Sequence, residues 1–232
     1  MASLEAEIRT KMTASSKAGD VTPAPKVLKI PAQVSFEVEG ENHLIVHIDT
    51  ERLHLESVKK KYLEEYQALF ADPKVMEKFA EGKPRDRKVT ESRVNTWIER
   101  FETNNPFSSL AVRLRDADEF LGQVVLGGGD KAGTSELAYL FKAKHWGKGL
   151  GTEAVGSVVQ EYAPQVVDKG YKINNVPLES IVATARMDNP GSYKILDKLG
   201  MHRVGESEKF GAKRFEYSIT MEEIQSRRKA TI

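Results

Sequence analysis

The residues best suited to chemistry lie in one glycine-rich stretch, residues 145–155, which reads HWGKGLGTEAV. Gly147, Gly149 and Gly151 stand at alternate positions, after a strand-like apolar run and before a helical pattern. Glycines let successive backbone N–H groups converge without obstruction by Cβ atoms, and the following helix adds the positive end of its dipole. The stretch therefore predicts an anion site suited to a pyrophosphate, with Lys148 as a mobile positive charge nearby.

Three interpretations of this turn compete. A P-loop is excluded because the sequence contains no GxxxxGK[ST] motif. Residues 149–154 match the dinucleotide-binding pattern GxGxxG/A, but that pattern normally belongs to the first strand–helix unit of a parallel sheet, and here it lies late in the chain. In the third interpretation the glycines only relieve packing in a tight loop. The turn alone does not identify its ligand.

Composition narrows the class of protein. A chain of 232 residues with 40% hydrophobic residues suits one folded domain. Its 35 basic and 34 acidic residues almost cancel, so the net charge creates no strong electrostatic field around the protein. Neither a nucleic-acid nor a membrane-surface partner is therefore predicted. The absence of cysteine excludes disulfides, thiolate metal sites and a cysteine nucleophile. No apolar run approaches the roughly 18–20 residues that span a bilayer, and no secretory signal is present, so a cytoplasmic location is expected, with a nuclear one left open.

Apolar periodicity predicts the elements that position the glycine turn. Strand patterns cover residues 34–48 (as a hairpin), 109–114, 120–126, 137–141, 178–185 and 215–219. Helical patterns cover residues 57–70, 91–101, the stretch after the glycine turn, where Pro164 should end or kink the helix, and 190–199, with Asn189 as N-cap. This order predicts an α+β (mixed α/β) fold around one sheet. It divides the chain into a flexible extension (1–26), an added hairpin (27–48), the main domain (49–222) and a C-terminal tail (223–232), in which Arg227, Arg228 and Lys229 are solvated.

Several short motifs, each present once, follow one another along the main domain. They are TERLHL at 50–55, FLG at 120–122, ELAY at 136–139, WGKGLGTEA at 146–154, and NPGS at 189–192 followed by KLG at 198–200. Together they resemble the GNAT (Gcn5-related N-acetyltransferase) superfamily, and within it the RimJ/RimL-like branch, over about residues 48–222. The chain departs from the family at Met201, where a Phe is usual. It also departs at Leu196, where many members carry a tyrosine that serves as the general acid.

The resemblance implies a single central, mostly antiparallel sheet with one parallel, splayed pair of strands and flanking helices. It also implies acetyl-CoA as co-substrate, with the pantetheine arm bonded to the opened strand edge as in β-augmentation. The residues implied to contact CoA are Leu140 and Phe141 at the pantetheine, Trp146, Gly147, Lys148, Gly149, Leu150, Gly151 and Thr152 around the pyrophosphate, and Asn189 at the arm. For Asn189 a role as helix N-cap alone is the alternative, and the two roles are compatible.

The reaction that the resemblance implies is N-acetyl transfer by direct attack of a neutral amine on the thioester, with a small-molecule or peptide amine as acceptor. Alkyl amines are protonated near neutral pH, so a base must accept a proton, and Glu136 is the candidate. A backbone N–H near Leu140 would hold the oxyanion. Since Leu196 cannot protonate the departing thiolate, Ser192 is the candidate acid, with Tyr193 second. A solvated strand carboxylate and simple helix-start polarity are the alternatives for Glu136 and Ser192.

Other functions remain open at this point. His43 and His47 share one face of a strand, but no paired carboxylates accompany them in the sequence, so no metal site is predicted. A catalytically silent acyl-CoA-binding regulatory module on the same fold is the main alternative function, and a nucleotide-cofactor oxidoreductase is a further one. A homodimer is also left open.

Overall fold

One nine-stranded sheet organises the protein, whose computed structural model describes residues 27–229. Its strands are β1 (Gln33–Glu39), β2 (His43–Asp49), β3 (Leu53–Ser57), β4 (Ser109–Leu114), β5 (Phe120–Gly128), β6 (Thr134–Phe141), β9 (Ser180–Arg186), β10 (His202–Lys209) and β11 (Ala212–Thr220), and β7 (Lys172–Ile173) and β8 (Val176–Pro177) form a separate small pair. Across the sheet the order is β1-β2-β3-β4-β5-β6-β9-β11-β10. Every pairing in the sheet is antiparallel except that of β6 with β9. The predicted fold class is therefore confirmed.

Helices cover both faces of this sheet. They are α1 (Leu63–Ala71), α2 (Pro73–Met76), α3 (Arg87–Glu102), α4 (Leu150–Ser157), α5 (Ala163–Asp168), α6 (Pro190–Lys198) and α7 (Met221–Lys229), with short 3₁₀ turns at Lys60–Tyr62 and Ala143–His145. On one face, Tyr66 of α1 packs against Phe120 of β5, with ring centroids 5.2 Å apart. On the other, Phe36 of β1 stacks on Tyr162, just before α5, at 5.5 Å. The apolar stripes that periodicity identified therefore form two core layers.

The helix that follows the glycine turn is disturbed just before Pro164, where the sequence predicted that it would end or kink. The helical run continues through α5 to Asp168, and the disturbance is a π-helical turn at Val158–Tyr162. Because proline has no N–H to donate, the chain widens just before it, and the Ala163 N–H bonds to the Val158 carbonyl. The proline is absorbed by one π turn and does not end the helix.

The C-terminal part of the chain also differs from the sequence analysis. Strand β10 was not predicted, because nearly all of its charged sequence, HRVGESEK, is exposed at the sheet edge and carries no apolar alternation. The expectation of a solvated tail is wrong for residues up to 229. They belong to α7, in which Ile224 is buried and Arg227 donates to the carbonyls of Leu199 and Gly200. The predicted flexible extension, residues 1–26, lies outside the described residues.

Candidate active site

The glycine turn, residues 146–152, joins the 3₁₀ turn at Ala143–His145 to the start of α4. Gly149 is the residue that caps α4, and its φ of +79° lies in the left-handed region that favours glycine. Gly147 also has positive φ, at +75°. Gly151 has a different role, because a Cβ there would lie 3.2 Å from both the Phe141 ring and Ile195 Cδ1. Two glycines therefore shape the backbone and the third allows α4 to pack closely against its neighbours.

A buried carboxylate fixes this turn to the sheet. Glu153, in the first turn of α4, accepts a hydrogen bond from Thr50 Oγ1 at 2.6 Å, from the Arg52 backbone N–H at 2.9 Å and from Arg52 Nε at 2.6 Å. Arg52 Nη1 also donates to the Lys148 carbonyl at 3.1 Å. Thr50 and Arg52 lie just before β3, so the TERLHL and GTEA motifs are two halves of one contact. The two motifs are about a hundred residues apart, so neither one shows in the sequence that it contacts the other.

Cationic side chains surround the exposed side of the turn. A cleft of about 270 Å³ next to Gly149 is lined by three cationic side chains, Lys29, Arg52 and Lys198, and by the carboxylates of Glu51 and Glu153. The segment 28–31 forms one wall of this cleft. It is held in place by Gln160, which accepts from the Ile30 N–H at 2.9 Å and donates to the Leu28 carbonyl at 2.7 Å. Cationic side chains therefore outnumber carboxylates at the end of α4 where its first backbone N–H groups lie.

Strands β6 and β9 part beside the turn. Their parallel pairing consists of Thr134 with Ser180, Ser135 with Ile181, and Glu136 with Val182, and it ends there. From residue 137 of β6 and residue 183 of β9 onward, the facing edges are unpaired; this gap is called here the splayed opening. The Lys142 N–H bonds toward β5, to Leu121. Because strand residues alternate, Tyr139 and Phe141 then present their backbone groups to the splayed opening, and Leu140 presents its groups to β5.

Ser192 and Tyr139 meet on one face of the splayed opening. Tyr139 Oη lies 3.0 Å from the Ser192 backbone oxygen and 3.0 Å from Ser192 Oγ. Ser192 is in the first turn of α6, where its N–H donates to Asn189 Oδ1 at 3.3 Å, so Asn189 does cap this helix. Burial raises the pKa of the Tyr139 phenol, and the hydrogen bond with Ser192 opposes that shift only in part. Tyr139 therefore stays protonated at physiological pH, a partner that the sequence analysis did not assign.

Glu136 points to the opposite face of the sheet. It lies three residues before Tyr139 in the same strand, and residues an odd number apart point to opposite faces. Its side chain is exposed, and none of the described residues makes a hydrogen bond or ion pair with it. It still acts on Arg214: burial lowers the pKa of that guanidinium, and the nearby Glu136 charge opposes the shift. The structure thus brings Ser192 and Tyr139 together and keeps Glu136 on the other side of the splayed opening.

The remaining candidate residues occupy distinct positions. Trp146 is 48% exposed, and its Nε1 donates to the Phe141 carbonyl at 2.8 Å, so it closes one end of the splayed opening. Leu140, Phe141, Leu150 and Thr152 are nearly buried, whereas Gly147 and Lys148 are exposed. Tyr193, the second candidate acid, packs edge-on against Phe215 with Arg203 over its ring. That aromatic cluster is a structural role for Tyr193.

A parallel strand pair that parts beside a glycine-capped helix is the arrangement that the resemblance to the GNAT superfamily implied. The family model for the acetyltransferase (GNAT) domain matches residues 52–202. The chain therefore belongs to the GNAT acetyltransferase family. An N-acetyltransferase of Bacillus subtilis (strain 168) of uncharacterised activity, YnaD, is 28% identical over 163 residues, which cover 69% of this chain and 85% of YnaD.

Solved structures show the same fold at low identity. The structure of RimL, a ribosomal L7/L12 alpha-N-protein acetyltransferase, superposes with a TM-score of 0.60 at 13% identity, covering 79% of this chain and 99% of RimL. The microcin C7 self-immunity acetyltransferase MccE, solved with acetyl-CoA and AMP, superposes with a TM-score of 0.57 at 17% identity, covering 74% of this chain and 94% of that one. Among the described residues, no helix is long and apolar enough to cross a membrane.

Proposed function

We propose that this protein is an acetyl-CoA-dependent N-acetyltransferase that acetylates a primary amine by direct attack within a ternary complex. The observation that carries the proposal is the end of the β6–β9 pairing at Glu136. The splayed opening that begins there has the glycine turn and Ser192 on one face of the sheet and Glu136 on the other. Acetyl-CoA and amine can therefore approach the same point from opposite faces.

Acetyl-CoA binding uses the glycine turn and the splayed opening together. The backbone N–H groups at residues 149–152 and the α4 dipole hold the pyrophosphate, with Lys148 and Arg52 beside it. Lys29 and Lys198 in the adjoining cleft add positive charge for the other phosphate of CoA. The pantetheine amides bond to the unpaired edge of β6, as an added strand would. MccE, which shares the fold, binds acetyl-CoA.

The chemical step divides its two proton transfers between the two faces. On the acceptor face, Glu136 takes a proton from the amine, directly or through water, so that the nitrogen can bond to the acetyl carbon. The Tyr139 or Phe141 N–H, both directed into the splayed opening, donates to the oxyanion that develops on the acetyl oxygen. As the carbon–sulfur bond breaks, Ser192 donates its hydroxyl proton to the departing thiolate and regains one from solvent, while Tyr139, 3.0 Å from Ser192 Oγ, holds that hydroxyl in place.

The proposal is tested by acetyl transfer to a panel of amines, including polyamines, amino acids and peptides with free N-termini. Acetylated products are read by mass spectrometry, and released CoA is read with a thiol reagent, which has no background because the protein contains no cysteine. We expect one class of acceptor to release CoA in step with its acetylation. Binding of acetyl-CoA with no transfer to any amine would instead favour a catalytically silent acyl-CoA-binding module.

A further inference from the structure

A histidine cluster lies on β2 and β3, three or more strands from the splayed opening beside β6. His47 Nδ1 is 3.3 Å from His54 Nε2, and the rings stack with centroids 5.2 Å apart. Glu56 is paired directly across the two strands with His47. One ligand atom from each of His47, His54 and Glu56 lies within 4.8 Å of the others. Strands β4 and β5 separate this cluster from β6.

The distance between the two histidine nitrogens suits a tetrahedral metal ion. With metal–nitrogen distances of about 2.0–2.1 Å and a tetrahedral angle, two ligating nitrogens are about 3.3 Å apart. That is the separation of His47 Nδ1 and His54 Nε2. Without a metal, the same distance is a hydrogen bond in which one nitrogen carries the proton. Metal binding requires only that this proton move to the other nitrogen of its own ring.

Two neighbouring contacts prepare the ligands. His54 Nδ1 is 2.8 Å from Asp49 Oδ1, so the imidazole is oriented by a carboxylate and its Nε2 lone pair is directed at His47. A carboxylate behind a ligating histidine is a recurrent feature of zinc sites. Glu56 accepts a hydrogen bond from the Lys59 ammonium on one carboxylate oxygen and from the Tyr62 hydroxyl on the other. Each carboxylate oxygen therefore keeps a second lone pair for a metal ion.

The surroundings favour access and charge balance. His54 and Asp49 are 28% and 40% exposed, so an ion reaches the cluster from solvent. Arg113, which is paired with His54 across β3 and β4, is already neutralised by Glu65 and Asp118. A further nearby cation, Lys59, is paired with Glu56, and Asp49 adds a second carboxylate beside His54. We propose that His47, His54 and Glu56 bind a divalent transition-metal ion such as Zn²⁺, with solvent completing the coordination.

The site would have a structural role. His47 lies before the region that matches the acetyltransferase domain, and His54 and Glu56 lie within it. A bound ion would tie the added hairpin, β1 and β2, to β3. Binding is independent of acetyl-CoA, so the proposal stands or fails separately from the proposed function. It also revises the expectation from the sequence, in which the carboxylates that accompany His47 could not be identified because strand pairing brings them there.

The test is calorimetric titration of tag-free protein with Zn²⁺, together with the visible absorption of the Co²⁺ form. We expect saturable binding, a tetrahedral Co²⁺ spectrum, and a rise in melting temperature that EDTA reverses. His47→Ala/His54→Ala should abolish all three. Asp49→Asn, which removes no ligand, should weaken binding about 10–100-fold.

His202→Ala is the matched control, since His202 is also beside a carboxylate, Glu223, but far from the cluster. It should bind like the wild type, and circular dichroism should show each variant folded. If the wild type binds no Zn²⁺, or if the double variant or Asp49→Asn binds as tightly as the wild type, the proposal is overturned. The cluster is then a hydrogen-bonded histidine pair.

Discussion

Single residues divide the proposed chemistry between the two faces of the sheet. Ser192 and Tyr139 form a hydrogen-bonded pair on the face of α6, and Glu136 lies on the face of α1 to α3. Sequence comparison named Ser192 because it follows Asn189 in a short motif, but the motif did not name its partner. Tyr139 is 53 residues away in sequence, so only the packing of α6 against β6 brings the two together.

We expect Ser192→Ala to lower turnover about 10²–10⁴-fold and to leave acetyl-CoA affinity nearly unchanged, because a proton donor to the leaving group acts mainly in the transition state. Tyr139→Phe should lower turnover in the same sense. If the two hydroxyls act as one unit, with Tyr139 positioning Ser192, the double variant should be little slower than the slower single variant. Steady-state kinetics and acetyl-CoA titration of all three variants measure this. Unchanged turnover in Ser192→Ala would assign protonation of the thiolate to water.

Glu136→Gln tests the base. The amide keeps the size of the side chain but cannot accept the amine proton, so we expect kcat/KM to fall about 10²–10⁴-fold at neutral pH. The loss should shrink as pH rises, because more of the amine is then already neutral. Glu37 is an exposed strand carboxylate on β1, and Glu37→Gln, the control, should leave kcat/KM unchanged. A Glu136→Gln enzyme with the wild-type pH profile would show that the base is a water chain.

At the scale of elements, the start of α4 depends on a contact that closes across the sheet. Glu153 is buried and takes hydrogen bonds from both Thr50 and Arg52. The sequence contained this information as two motifs about a hundred residues apart, and periodicity cannot join such distant segments. The same limit applies to the splayed opening: each strand was predicted from its own pattern, but where a pairing ends is a property of two strands.

Glu153→Ala should destabilise the protein by about 2–4 kcal/mol, since it leaves the Arg52 amide without its acceptor and the Thr50 hydroxyl with only the longer contact to the Leu53 carbonyl, at 3.3 Å. The estimate allows for the weakness of the Arg52 ion pair, because that side chain is 46% exposed. For a chain of this size the melting temperature should fall by about 5–15 °C. Glu51→Ala, an exposed neighbour, should change it little. Equal melting temperatures for Glu153→Ala and wild type would contradict the anchoring role.

At the scale of the whole molecule, the central elements of the fold were well predicted, and the elements near both ends of the described residues were not. The hairpin, the central strands and the helices around the glycine turn match their predicted positions closely, because each carries a clear apolar period. Strand β10 and α7 were missed because their charged sequences gain order only by packing on elements already formed. The segment 27–31 is similar: it has little pattern of its own, yet it is bonded to both α6 and the π turn.

Removal of residues 1–26 should leave the melting temperature and the acetyl-CoA affinity nearly unchanged, because their composition offers few apolar groups to bury. Removal of residues 1–31 should cost about 1–3 kcal/mol, since it also removes the Gln160 hydrogen bonds and the contact of Ile30 with α4. Differential scanning calorimetry of the two truncations compares them. A large loss of stability on removing 1–26 alone would show that the extension packs on the domain.

The central claim is that the glycine turn binds the pyrophosphate of acetyl-CoA, and calorimetric titration of wild type and Gly149→Val with acetyl-CoA tests it most directly. A valine at φ +79° resists the conformation that directs the N–H groups. Loss of two charge-assisted hydrogen bonds, each worth about 1.5–3 kcal/mol, should weaken binding at least about 100-fold. Gly170→Val is the matched control, because it introduces the same backbone strain at φ +78° in open space. This variant should bind acetyl-CoA with wild-type affinity. A folded Gly149→Val protein with wild-type affinity, or a wild type that does not bind acetyl-CoA, would contradict the account.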